Sequence, residues 1–117
     1  MLSIQKLEAY GADTQSGLKR CVNKESLYLR LVATIPANEG FRSLEEAVAA
    51  GDLEAAFQAA HGLKGAVSNL SLTPLSDPIS EMTEHLRAHE AIDYSAYLEE
   101  IRIQRERLQA LCDSDGE

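Results

Sequence analysis

No run in this 117-residue chain reaches the ~18 consecutive apolar positions of a membrane-spanning helix. The stretch after Met1 also lacks the charged segment and apolar run of an export signal. Cysteine is scarce: Cys21, in an apolar helical pattern, and Cys112, near the C-terminus, are the whole supply. No disulfide framework is indicated, and a reducing cytoplasm is the expected compartment. Basic residues are outnumbered, 11 Lys and Arg against 19 Asp and Glu, for a net charge of −8. Nucleic acid and anionic membranes are therefore poor partners, which leaves proteins. There is no Gly-x-x-x-x-Gly-Lys-Ser/Thr loop, no glycine-rich nucleotide-binding strand and helix pair, and no carboxylate cluster suited to magnesium. The chain is not expected to be an enzyme acting on nucleotides, and it has no metal or cofactor site of its own in this reading.

What the sequence does have is helical period almost throughout, with no convincing strand. Asn23, Asp52, Thr73 and Asp93 stand where N-caps belong. Helices are expected over 3–9, 14–22, 24–35, 40–50, 53–70, 78–90 and 94–111. Ile35-Pro36 ends the third, because a residue before proline is biased out of the α region. Ala50-Gly51-Asp52 ends one helix and caps the next. Pro74 and Pro78 do not both fit the first turn of one helix. That places the helix start at Pro78, with Asp77 as cap and 72–76 as a turn or kinked lead-in. The last helix carries Tyr97, Leu98, Ile101, Leu108 and Leu111 on its apolar face and Glu99, Arg102 and Glu106 outside. The fold class is all-α: an up-down four-helix bundle with additional short N-terminal helices, its core supplied by the four long members 40–50, 53–70, 78–90 and 94–111. With 44% hydrophobic and 26% charged residues, the chain suits one domain over 1–112 and a disordered tail over 113–117. A monomer is expected.

The helix over 53–70 has an unusual outer face. Leu53, Ala56, Ala60, Leu63, Val67 and Leu70 cluster on one side, and His61 points about 130° away from the centre of that cluster. Lys64 and Gly65 flank the histidine one turn on, Ser68 falls beneath it, and Phe57 and Gln58 flank it one turn earlier. Gly62 and Gly65 each cost about 1 kcal/mol relative to alanine in mid-helix, which a purely structural helix has no reason to carry twice. An imidazole, whose ordinary pKa is about 6.5, is largely neutral and nucleophilic near pH 7.

His61-Gly62-Leu63-Lys64-Gly65 followed by Asn69-Leu70-Ser71 resembles the centre of the histidine-containing phosphotransfer (HPt) family, His-x-Leu-Lys-Gly and then Asn-Leu-Gly. The likeness extends upstream through Gly17-Leu18-x-Arg20-Cys21-x-Asn23, Leu27-Tyr28-Leu29-x-Leu31 and Ala47-x-x-x-Gly51-Asp52, and covers Gly17 to Leu108. Two departures stand out: Ser71 where the family has glycine, and Met82-Thr83 where it has a Leu-Glu pair. They bear on the turn after the histidine helix and on a polar contact or partner-facing charge. The resemblance implies a phosphoryl carrier in which His61 takes the phosphoryl group on Nε2 from a receiver-domain aspartate and passes it to another receiver. Lys64 would then balance phosphate charge, Gly65 would give clearance to the partner, and Phe57, Gln58, Gly62 and Ser68 would meet that partner. The partners implied are receiver (response-regulator) domains, including those of a hybrid sensor kinase, which bring their own Mg2+. The competing reading is a helical interaction module that binds receivers or other proteins without transferring phosphate.

Other residues have plainer readings. His85 and His89, spaced i, i+4 with Glu81 a turn back, could form a metal stripe but lack further ligands, so a solvated face is expected. Phe57 stands at the margin between core and partner rim. Asn69 reads as structural, and Arg20 and Tyr28 as packing and salt-bridge residues.

Overall fold

A computed structural model describes residues 1–113. Its elements are α1 (Ile4–Tyr10), α2 (Thr14–Arg20), α3 (Glu25–Ala33), a 3-10 turn (Ile35–Ala37), α4 (Gly40–Ala49), α5 (Leu53–Asn69), α6 (Thr73–Arg87) and α7 (Ser95–Asp113). Among the described residues there is no strand, and no helix is long and apolar enough to cross a membrane. The expected all-α bundle is present. α4, α5, α6 and α7 pack in sequence, each against the next, as short connections require of antiparallel neighbours. Arg105 of α7 closes the ring. Its guanidinium lies 4.9 Å from the Phe41 ring centroid of α4, and its Nε donates to the Pro36 carbonyl at 2.8 Å.

The sequence pattern assigns the core to the four long helices, but the short N-terminal helices contribute to it as well. Leu7 and Tyr10 of α1 and Tyr28 and Val32 of α3 are buried within it. Tyr28 donates its hydroxyl to the Leu70 carbonyl at 2.9 Å, and burial pushes its phenol pKa up to about 12. Asp13 N–H donates to the Ser71 carbonyl at 3.0 Å. The short N-terminal helices thus close over the turn that joins α5 to α6.

Side-chain caps start α1, α2 and α5, whereas two of the caps expected from sequence are not formed. Asp52 accepts from Ala55 N–H at 3.0 Å, and Asp93 accepts from Ser95 N–H at 2.9 Å. The hydrogen bonds from Ser95 hold the Asp93 carboxyl below its ordinary pKa. Asn23 is not a cap. It follows Val22 in the left-handed region (φ 57 and 53), and Lys24 occupies the cap position without a side-chain bond. Thr73 is likewise the first residue of α6, with Leu72 before it.

The long helix begins at Thr73, not at Pro78. Pro74 lies in the first turn, where its missing N–H costs nothing, and Pro78 is carried inside α6. Being only one turn further in, Pro78 forfeits a single ladder bond near the helix start rather than splitting a long helix. At the other end α6 stops at Arg87, and His89 adopts φ 56. Asp113, expected in the tail, closes α7. The rest of that tail, 114–117, lies outside the described residues.

Candidate functional site

His61 sits midway along α5, whose inner row of Ala56, Ala60, Leu63 and Val67 is at most 1% exposed. One row fixed inside determines what the others do: at 100° per residue His61 is carried to the open side, and it is exposed. Gly62 and Gly65 are exposed beside it. A Cβ built on either glycine would meet nothing within 4 Å. No internal packing requires these glycines, so their effect is to leave bare backbone around the imidazole.

The neighbours separate into those drawn to the histidine and those engaged elsewhere. Phe57, half-buried, places its ring centroid 5.6 Å from that of His61, and so belongs to both core margin and site. Lys64 is half-exposed, and its Nζ lies 3.8 Å from Glu84 Oε2 of α6. Gln58 is exposed and donates to Glu54 Oε2 at 3.0 Å, one turn back. Ser68 is half-buried on the same helix. At the far end Asn69 accepts from Arg20 Nη1 at 3.4 Å, a structural tie between α5 and α2 rather than the salt bridge expected for Arg20.

The site also draws on α6, which the sequence alone did not reveal. The Arg87 guanidinium carbon lies 5.0 Å from the Phe57 ring centroid, within cation–π range. Its Nε is 3.4 Å from Glu84 Oε1. Glu84 therefore stands between two cations, one from each helix. Met82 and Thr83, where the departure from the Leu-Glu pair falls, are fully buried. The Thr83 hydroxyl donates to the Ile79 carbonyl at 2.6 Å, so no charge faces outward at this position; the exposed charged residues of α6 are Asp77, Glu81, Glu84 and Arg87.

The turn after α5 persists despite the other departure. Ser71 takes φ 55, its N–H donates to the Ser68 carbonyl at 3.0 Å, and Leu72 N–H donates to the Val67 carbonyl at 3.0 Å. This is a Schellman closure with serine in the place usually filled by glycine. The His85 and His89 pair does not form a helical stripe. α6 ends between them, and His85 Nδ1 pairs with Glu90.

The helical bundle presents one histidine on an open helix face, flanked by glycines and a lysine. A family model described as Hpt domain matches residues 37–113, and the chain belongs to that family. It is thus a histidine-containing phosphotransfer domain of the two-component type, from a family of phosphocarriers that generally interact with receiver domains. The upstream likeness over Gly17 to Leu31 lies outside the matched stretch, although α1 to α3 share the core. No curated protein and no solved structure matches the chain.

Proposed function

We propose that this protein is a phosphorelay intermediate in which His61 accepts a phosphoryl group from the aspartate of one receiver domain and delivers it to another. The observation that carries this reading is the empty space at Gly62 and Gly65 beside an exposed ring. Two mid-helix glycines with nothing packed on them cost stability and repay it only if something outside the chain must come close.

The lone pair of the unprotonated ring nitrogen, Nε2, attacks phosphorus, the P–O bond to the aspartate breaks, and that carboxylate leaves as the P–N bond forms. The charge delivered to the helix surface is close to two negative units, and Lys64 at i+3 offsets part of it in the transition state and in the product. Gly65 keeps the approach path clear for in-line displacement. Phe57, Gln58, Gly62 and Ser68 form the surrounding contact surface, and docking buries about 1,200 Å² in total. The partner contributes the aspartate and the magnesium. The protein acts as a monomeric carrier in the cytoplasm, with residues 1–112 as one unit.

The test is incubation with a phosphorylated receiver and Mg2+. Acid-labile, base-stable label should appear on the wild type and be absent from His61→Gln. Label retained by His61→Gln overturns the assignment, and receiver binding without any transfer moves the protein to the interaction-module reading.

A further inference from the structure

We propose that Glu84 is a positioning residue that sets how strongly His61 holds its phosphoryl group, by competing with that group for Lys64 and Arg87. The proposal rests on the carrier reading above and adds a residue from a second helix to it. Glu84 Oε2 lies 3.8 Å from Lys64 Nζ, and its Oε1 lies 3.4 Å from Arg87 Nε. Both cations belong to the histidine's surroundings: Lys64 is one turn from His61 on α5, and Arg87 lies over the Phe57 ring that faces the imidazole. In the unloaded protein one carboxylate therefore occupies the cations that would otherwise face the incoming phosphate.

Such an arrangement can exchange partners. The Glu84 side chain is 60% exposed and that of Lys64 36%, and ion pairs this open to water are weak. A phosphoryl group carrying nearly two charges on three oxygens is a stronger attractor for an ammonium or a guanidinium than a single carboxylate. Loading His61 is expected to draw Lys64 and Arg87 off Glu84, and breaking those two pairs disfavours the loaded state relative to a chain without the Glu84 charge. Glu84 thereby keeps the phosphohistidine ready to give up its group rather than store it.

The readout is the equilibrium between phosphorylated receiver and phosphorylated carrier, with Mg2+ present, for wild type, Glu84→Gln, and Glu84→Gln in a Lys64→Gln, Arg87→Gln background. Glu84→Gln should shift the equilibrium toward phosphohistidine by about threefold, the size an exposed pair can supply. The shift should shrink as salt rises and should vanish in the background lacking both cations. An unchanged equilibrium in Glu84→Gln, with wild type still taking label, overturns the role of Glu84 and leaves the carrier reading intact. A shift of the same size without the two cations also overturns it, because Glu84 would then act by bare charge. Wild type that takes no label defeats the carrier reading itself. Circular dichroism melts should superimpose for wild type and Glu84→Gln, which excludes a folding origin for the shift.

Discussion

A Cβ added at Gly17 would lie 2.5 Å from Tyr28 Cε1, and one at Gly40 would lie 2.9 Å from Leu63 Cδ2, whereas one at Gly62 or Gly65 would meet nothing within 4 Å. All four glycines are in helices. The first two are demanded by the fold, because a neighbouring side chain occupies the space a Cβ would need. The second two are indifferent to the fold, and their bareness faces outward around His61. A substitution at each kind of position should therefore move stability in opposite directions, and only one kind should affect phosphoryl transfer.

The largest effect is expected at Gly17. The Tyr28 ring is fully buried and its hydroxyl is fixed on the Leu70 carbonyl, so it has little room to yield to a methyl group. Gly17→Ala should cost about 3 kcal/mol through overpacking. In a thermal melt that is a fall in midpoint of about 12 °C. A fall of under about 3 °C would show that the ring slides aside, and the distinction between the two kinds of glycine would weaken.

The opposite sign is expected on the open face. Gly62→Ala and Gly65→Ala should each raise stability by about 1 kcal/mol, since alanine is the better helix former and nothing opposes its methyl. A bulkier group at Gly65, as in Gly65→Leu, should keep a native melt while reducing transfer from a phosphorylated receiver by about tenfold or more, a loss on the scale that misplaced reacting groups produce. Lower melting temperatures for the alanine variants would mean that these glycines serve the fold after all.

Much of this was readable before any coordinates. The burial of Ala56, Ala60, Leu63 and Val67 follows from a period of 3.6, and the outward direction of His61 follows from that burial. The roles of Glu84 and Arg87 were not readable, because periodicity says which row of one helix is buried but not which rows of two helices become neighbours. Three further differences are local. Pro78 reads as a helix start when Pro74 is weighed as a competitor, yet Pro74 at the first turn and Pro78 one turn on belong to one helix. His85 and His89 share a face only if the helix continues, and a closing turn with His89 at φ 56 ends it between them. Ser3 and Asp13, which cap α1 and α2 by accepting from Lys6 and Ser16 N–H at 3.2 Å each, carried the ordinary capping signal but lie in helices too short for a strong period.

The smallest effect sharpens the comparison from the other side, by adding a glycine where the backbone asks for one. Ser71 holds φ 55 because the closure of α5 requires it, and Leu72 immediately after is fully buried beside the fully buried Val67, which anchors the turn. A side chain in the left-handed region costs on the order of 1 kcal/mol, and glycine relieves that cost while losing some of it to greater freedom in the unfolded chain. Ser71→Gly should therefore gain about 0.5 kcal/mol, seen as a midpoint about 2 °C higher. Ser71 stands at the end of α5, away from the bare backbone around His61, so transfer should be unchanged. A glycine gained at the turn would then stabilise without touching function, while a glycine lost from the open face stabilises and, when replaced by bulk, removes it. If Ser71→Gly instead destabilised the protein, the serine would be contributing a contact of its own, and the turn would differ in kind from one that merely tolerates a side chain.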